Sequence, residues 1–221
     1  MISLLTFLNV MMFVFVGGTF FCLTLSRLPS LLRAYATSSF ALAGLTLSIA
    51  LEEKASHLYI VVLMILIVKG ILVPFIIRRM ADRSGVSLRL SSVLRATSSW
   101  FVAGLSFSAG MVLALRSPLF LNTGSSEGVT LLLPISIGII FVGISTMIIR
   151  RDIISQMIGF LVMENGIAAF ALSALGGVPV VIEFGVYSAV LIGAVLMATL
   201  GQRVQELFGS SDTSHLNELI D

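Results

Sequence analysis

Three ionisable residues stand where charge is expensive. Lys69 lies in the apolar run LIVKGILVPF, Glu164 in IGFLVMENGIAAF and Glu183 in VVIEFGVYSAVLIG. A charged side chain at the centre of a bilayer costs about 2.5–3.5 kcal/mol on insertion scales, so such groups face protein or water and commonly mark ion or proton routes. Lys69 precedes Arg78 by nine residues, about 13 Å along a helix rising 1.5 Å per residue. That depth is near the midplane; snorkelling along lipid to the headgroups is the alternative account. Pro74 removes the helical hydrogen bond to the Gly70 carbonyl, which leaves an acceptor beside the lysine. A broken helix next to an ionisable group is a recurring arrangement in ion transporters.

Glu164 follows Arg151 by thirteen residues, about 20 Å along a helix axis, too deep to reach water at either face. Asn165 supplies an amide beside it, and Gly166 allows close helix approach. Desolvation disfavours a charged carboxyl at such depth unless a cation such as Lys69 opposes it. The alternative is a neutral glutamic acid hydrogen-bonded between helices. Glu183 lies only some five residues into its apolar run, in the outer third, where a solvated helix-end carboxylate is an equal reading. Glu52, Glu53, Lys54 and His57 cluster at the end of another run and read as a solvated loop. Gly185, Ala189 and Gly193 recur every fourth residue, a small-residue stripe for helix packing.

Catalytic and cofactor motifs are missing. There is no GxxxxGK, CxxC, HExxH or GxSxG string. The single cysteine, Cys22, excludes an internal disulfide and any multi-cysteine cluster built from this chain alone. His57 and His215 lie outside the apolar runs. No haem, flavin, nickel or iron–sulfur ligand set exists here, so the expectation is a chain that carries no cofactor and is not itself a catalyst.

The composition says what must position these groups. Of 221 residues, 57% are hydrophobic and 11% charged, against about 25% charged in soluble domains. That excludes a water-soluble fold, a disordered chain and a nucleic-acid binder, and predicts an all-α integral membrane protein embedded in the lipid bilayer. Seven apolar runs, at about 2–25, 34–51, 58–77, 98–116, 129–149, 154–175 and 178–202, are each close to the 20 or so residues that span a bilayer. Ten of the 13 lysines and arginines fall after odd-numbered runs: Arg27, Arg33, Arg78, Arg79, Arg83, Arg89, Arg95, Arg150, Arg151 and Arg203. The even-numbered connections hold Lys54 and Arg116. The positive-inside rule then predicts seven transmembrane helices, with the N-terminus outside and the C-terminus cytoplasmic. The organisation expected is an N-terminal three-helix region (1–97) with a basic cytoplasmic loop (78–97), a fourth helix and outer loop (98–128), a second three-helix region (129–204), and a polar cytoplasmic tail (205–221).

From residue 147 onward the chain resembles component E of hydrogenase-4-type complexes. The strings that carry the likeness are IIRRDIISQMIGFLVMENG, PVVIEFGV and the tail SSDTSHLNELID; KGILVP, with Lys69 and Pro74, is similar to that family's third-helix segment. The last three runs also resemble the small three-helix K subunit of complex I. The family's ME-N-G motif falls on Glu164, and its E-x-G motif on Glu183 and Gly185. Members of that family carry an aspartate six residues after the second glutamate, where this chain has Ala189. A two-carboxylate relay would therefore need Glu183 or a group from a partner.

The resemblance implies a membrane-arm subunit of a complex I-related assembly, such as a group 4 [NiFe] hydrogenase or formate hydrogenlyase, in the cytoplasmic (inner) membrane of a bacterium or archaeon. It implies antiporter-like large subunits, a quinone-cavity-type membrane subunit and peripheral redox subunits as partners, the last holding the nickel–iron and iron–sulfur centres. Lys69 and Glu164, with Glu183, would then serve proton or Na⁺ translocation, with Asn165 and Pro74 supporting. Two other readings stay open: a non-conducting subunit that holds the antiporter-like subunits together, and a subunit of a multisubunit Na⁺/H⁺ antiporter.

Overall fold

The computed structural model describes residues 2–83, 96–117 and 127–175, together with the single positions 193, 195, 199 and 203. These residues form α1 (Ile2–Thr24), α2 (Leu28–Glu53), a third span, and then α5 (Ala96–Leu115), α6 (Glu127–Ile149) and α7 (Ile153–Leu175). The third span has three pieces: α3 (Ser56–Met64), the π-helical π1 (Ile65–Leu72) and α4 (Val73–Arg83). Six helices among the described residues are long and apolar enough to cross a membrane, and no β-strand occurs among those residues. This is the all-helical architecture expected of a multi-pass membrane protein. The seventh run, 178–202, lies outside the described residues apart from positions 193, 195 and 199.

An apolar run forms a helix in lipid because every backbone N–H and C=O must be satisfied within its own segment. The hydroxyls inside these spans follow the same rule. Thr19 donates to the Phe15 carbonyl and Thr46 to that of Leu42, each at 2.9 Å, so they are buried without needing a partner helix. Large apolar side chains on the outer surface, Phe13, Phe101 and Ile148 among them, are at least 75% exposed, as a lipid-facing surface requires.

Helix limits differ from the apolar runs where the ends are polar. α2 begins at Leu28, six residues before the run suggests, because Pro29 has the fixed φ that suits a first helical turn. Arg33 therefore lies on the helix and donates Nε to the Pro29 carbonyl at 3.2 Å. The third span continues through Arg83, so Arg78 and Arg79 also sit on a helix. α2 closes at Lys54, whose backbone is left-handed (φ 53°) and whose N–H reaches the Ala50 carbonyl.

Among the described residues, basic side chains gather at one end of the bundle. Arg150, between α6 and α7, donates Nη2 to the carbonyls of Leu23 and Leu25 at the end of α1. Trp100, in the first turns of α5, meets Phe21 edge-on with ring centroids 5.4 Å apart. A shared groove between Arg33 and Arg78 brings the start of α2 beside α4. Among the described residues, Arg33, Arg78 and Arg150 thus share one end of the bundle.

α6 and α7 are in close contact through glycine. A Cβ added at Gly143 would fall 2.5 Å from the Met163 nitrogen, and one at Gly166 would fall 2.8 Å from Ile140 Cγ1 and 2.9 Å from its nitrogen. Only glycine permits this backbone approach.

Candidate functional site

The third span carries a buried stripe every fourth residue: Val61, Ile65, Lys69, Val73, Ile77 and Ala81, none more than 3% exposed. A four-residue step overshoots an α-helical turn of 3.6 residues by about 40°, so a straight α-helix would rotate this stripe away from the core. The wider turn of π1 absorbs the drift. Lys69 therefore stays on the inward face. π-helical segments are rare and frequently mark functional sites. The distortion lies around the lysine and ends at Val73, whose N–H bonds the Val68 carbonyl, five residues back. Around the bond expected to be missing at Gly70, the helical register changes over eight residues. Pro74, half-buried, follows it directly.

Lys69 and Glu164 meet. Lys69 Nζ lies 2.5 Å from Glu164 Oε2, with 0% and 7% of the two side chains exposed. Lys69 Nζ also donates to Asn165 Oδ1 at 3.0 Å. The Asn165 amide donates in turn to Ser39 Oγ at 3.1 Å and Ser38 Oγ at 3.5 Å, and Ser38 donates to the Tyr35 carbonyl at 2.8 Å. The site thus joins the third span, α7 and α2. Glu164 Oε1 accepts no hydrogen bond among the described residues. A cation, a carboxylate with one uncommitted oxygen and an amide–hydroxyl relay together can hold a proton or a small cation and pass it by a short side-chain movement.

Sequence reasoning named Lys69, Glu164, Asn165 and Pro74 but missed Ser38 and Ser39. The signal was the adjacent serine pair in ATSSFALAG, buried beside otherwise apolar residues. Glu183, Gly185 and Ala189 lie outside the described residues. At Gly193, which is half-buried, a Cβ would meet nothing within 4 Å among the described residues.

No family model and no solved structure matches the chain. It is 28% identical over 197 residues to the uncharacterised protein Rv0085 of Mycobacterium tuberculosis, covering 88% of this chain and 87% of that protein.

A second polar cluster lies between α6 and α7. Arg150 is 2% exposed and Asp152 3%. The guanidinium accounts for two carbonyls of the α1 end, while the Arg150 carbonyl accepts from Gln156 Nε2 at 2.9 Å. Asp152 Oδ2 accepts the Ser155 N–H at 2.7 Å, capping α7. Burial pulls the Arg150 guanidinium below its ordinary value, against the Asp152 carboxylate. Burial likewise pushes the Asp152 carboxyl up, opposed by its hydrogen bonds to Ser155 and by Arg150. The sequence reading used Arg150 for orientation and within the string that carries the resemblance; its burial follows from the carbonyls that α1 leaves without helical partners.

Proposed function

We propose that the chain is a membrane-arm subunit of a complex I-related, hydrogenase-4-like redox complex, in which Lys69 and Glu164 contribute to proton or Na⁺ translocation. The observation that supports this reading is the buried Lys69–Glu164 pair held in a π-helical segment and extended by Asn165, Ser39 and Ser38. Moving one charge across 100 mV takes about 2.3 kcal/mol. Opening and closing the buried pair is the movement that would couple to that step. The resemblance adds the context: antiporter-like and quinone-cavity-type membrane neighbours and peripheral redox subunits holding the metal centres. The alternation of basic connections adds an odd number of spans and a cytoplasmic basic end.

The direct 2.5 Å contact also favours a second reading, a fixed clamp between spans in a non-conducting subunit. Proton release by the intact complex, assayed with Glu164→Gln and Lys69→Met, separates the two. The translocation reading expects assembled complexes with redox turnover but weakened coupling. Normal coupling in both assembled variants refutes it, and failure of assembly without any intermediate phenotype favours the clamp.

A further inference from the structure

The basic end of the bundle holds a groove that the ion pair does not use. Pro29, Leu32 and Arg33 of α2 form one wall and Pro74, Phe75 and Arg78 of α4 the other, around a space of about 470 Å³. A second hollow of about 490 Å³ shares Phe75 and Arg78 and adds Arg79 and Asp82. The two are neighbours, since Phe75 and Arg78 line both.

Their chemistry is amphiphilic. Arg33, Arg78 and Arg79 bring three cations against one carboxylate. Arg78 Nε and Asp82 Oδ2 are 4.0 Å apart with 70% and 62% of their side chains exposed, a surface pair of little energetic weight. Arg33 commits Nε to the Pro29 carbonyl, which orients its guanidinium along α2. The apolar wall is the surface of Leu32, Pro74 and Phe75, the last 57% exposed. Both hollows sit where a helical bundle passes from apolar to charged surface, the level of lipid headgroups. Basic pockets between transmembrane helices at that level take anionic headgroups, and guanidinium groups suit phosphate oxygens by their forked geometry.

We propose that this double groove binds an anionic phospholipid, with Arg33, Arg78 and Arg79 taking its phosphate and Phe75 and Leu32 taking an acyl chain. The occupant is a lipid, and not free phosphate, because apolar and cationic side chains line the same groove. The inference stands apart from the ion-translocation reading, since neither Lys69 nor Glu164 lines either hollow.

Native mass spectrometry of the full chain, released from nanodiscs containing equal amounts of cardiolipin and phosphatidylcholine, tests it. Cardiolipin should be retained in preference to phosphatidylcholine. Arg33→Gln and Arg78→Gln should each reduce that preference roughly fivefold, the equivalent of about 1 kcal/mol for each charge near an anionic surface, and the combined variant should lose most of it. Lysine at both positions should keep some of the preference, and Arg116→Gln, on the α5 end remote from the groove, should keep all of it. Equal retention of the two lipids, an unchanged preference in the folded combined variant, or displacement of cardiolipin by millimolar inorganic phosphate would each overturn the assignment.

Discussion

Lys69 Nζ and Glu164 Oε2 lie 2.5 Å apart across the interface of π1 and α7, with 0% and 7% of the two side chains exposed. Taking one member of a buried ion pair away strands the other charge and costs about 3–5 kcal/mol, whereas replacing both with apolar groups costs far less. Lys69→Met and Glu164→Leu should each lower stability by about that amount, and the double variant by clearly less than their sum. Titrating the detergent-solubilised chain with dodecyl sulfate and following helix loss gives the three values. Additive losses would show that the two residues do not act as a pair.

Asn165 links that pair to α2, accepting from Lys69 and donating to Ser39. Removing its amide leaves buried donors and acceptors unmatched at about 1–3 kcal/mol, so Asn165→Ala should destabilise more than Ser39→Ala. Combined with Ser39→Ala, the two effects should overlap, because one hydrogen bond is counted in both. A Ser39→Ala loss equal to that of Asn165→Ala would contradict the asymmetry, since the serine holds only one end of the relay.

Much of the site was legible because charge in an apolar run has few explanations. Lys69, Glu164 and Asn165 declare themselves that way. Ser38 and Ser39 do not: hydroxyls in such helices are commonly satisfied by their own backbone, as Thr19 and Thr46 are here, so type alone does not separate a relay from a bystander. The π-helical register was written in the four-residue stripe from Val61 to Ala81, a period that is easy to pass over when every residue between is also apolar. Helix ends were the poorest reading. Arginines near helix ends look like loop residues, and Arg33 and Arg79 proved to be helical. Close helix contact was expected at Gly166, which does make it between α6 and α7, as does Gly143; the stripe at Gly185, Ala189 and Gly193 lies outside the described residues except for Gly193.

Glycine at 143 should be indispensable where glycine at 104 is not. A Cβ at Gly143 would meet the Met163 nitrogen at 2.5 Å, while one at Gly104 meets nothing within 4 Å. Gly143→Ala must therefore push α6 from α7 beside Glu164, at the 1–3 kcal/mol or more of an overpacked core. Gly104→Ala relieves helix-interior glycine and should be neutral or stabilising by about 0.4–1 kcal/mol. Thermal unfolding of the two variants in the same detergent decides the point; equal behaviour would mean that α6 and α7 do not approach as described.

Asp152 should give the chain an unusual acid response. Burial raises its carboxyl above the ordinary range in the folded protein, so folding increases proton binding at this group. Between the unfolded value near 3.9 and the raised folded value, the native state holds more protons than the unfolded chain. By linkage, the contribution of Asp152 to stability is then full below the unfolded value and falls as pH rises through the folded one. Asp152→Asn keeps an effective helix cap and removes the titration. Melting temperatures of both proteins, measured in detergent from about pH 3.5 upward, should show wild type losing stability relative to the variant as pH rises and then running parallel to it. A wild type that instead gains on the variant with rising pH would place the carboxylate in a setting that favours its charge, contrary to the burial seen between α6 and α7.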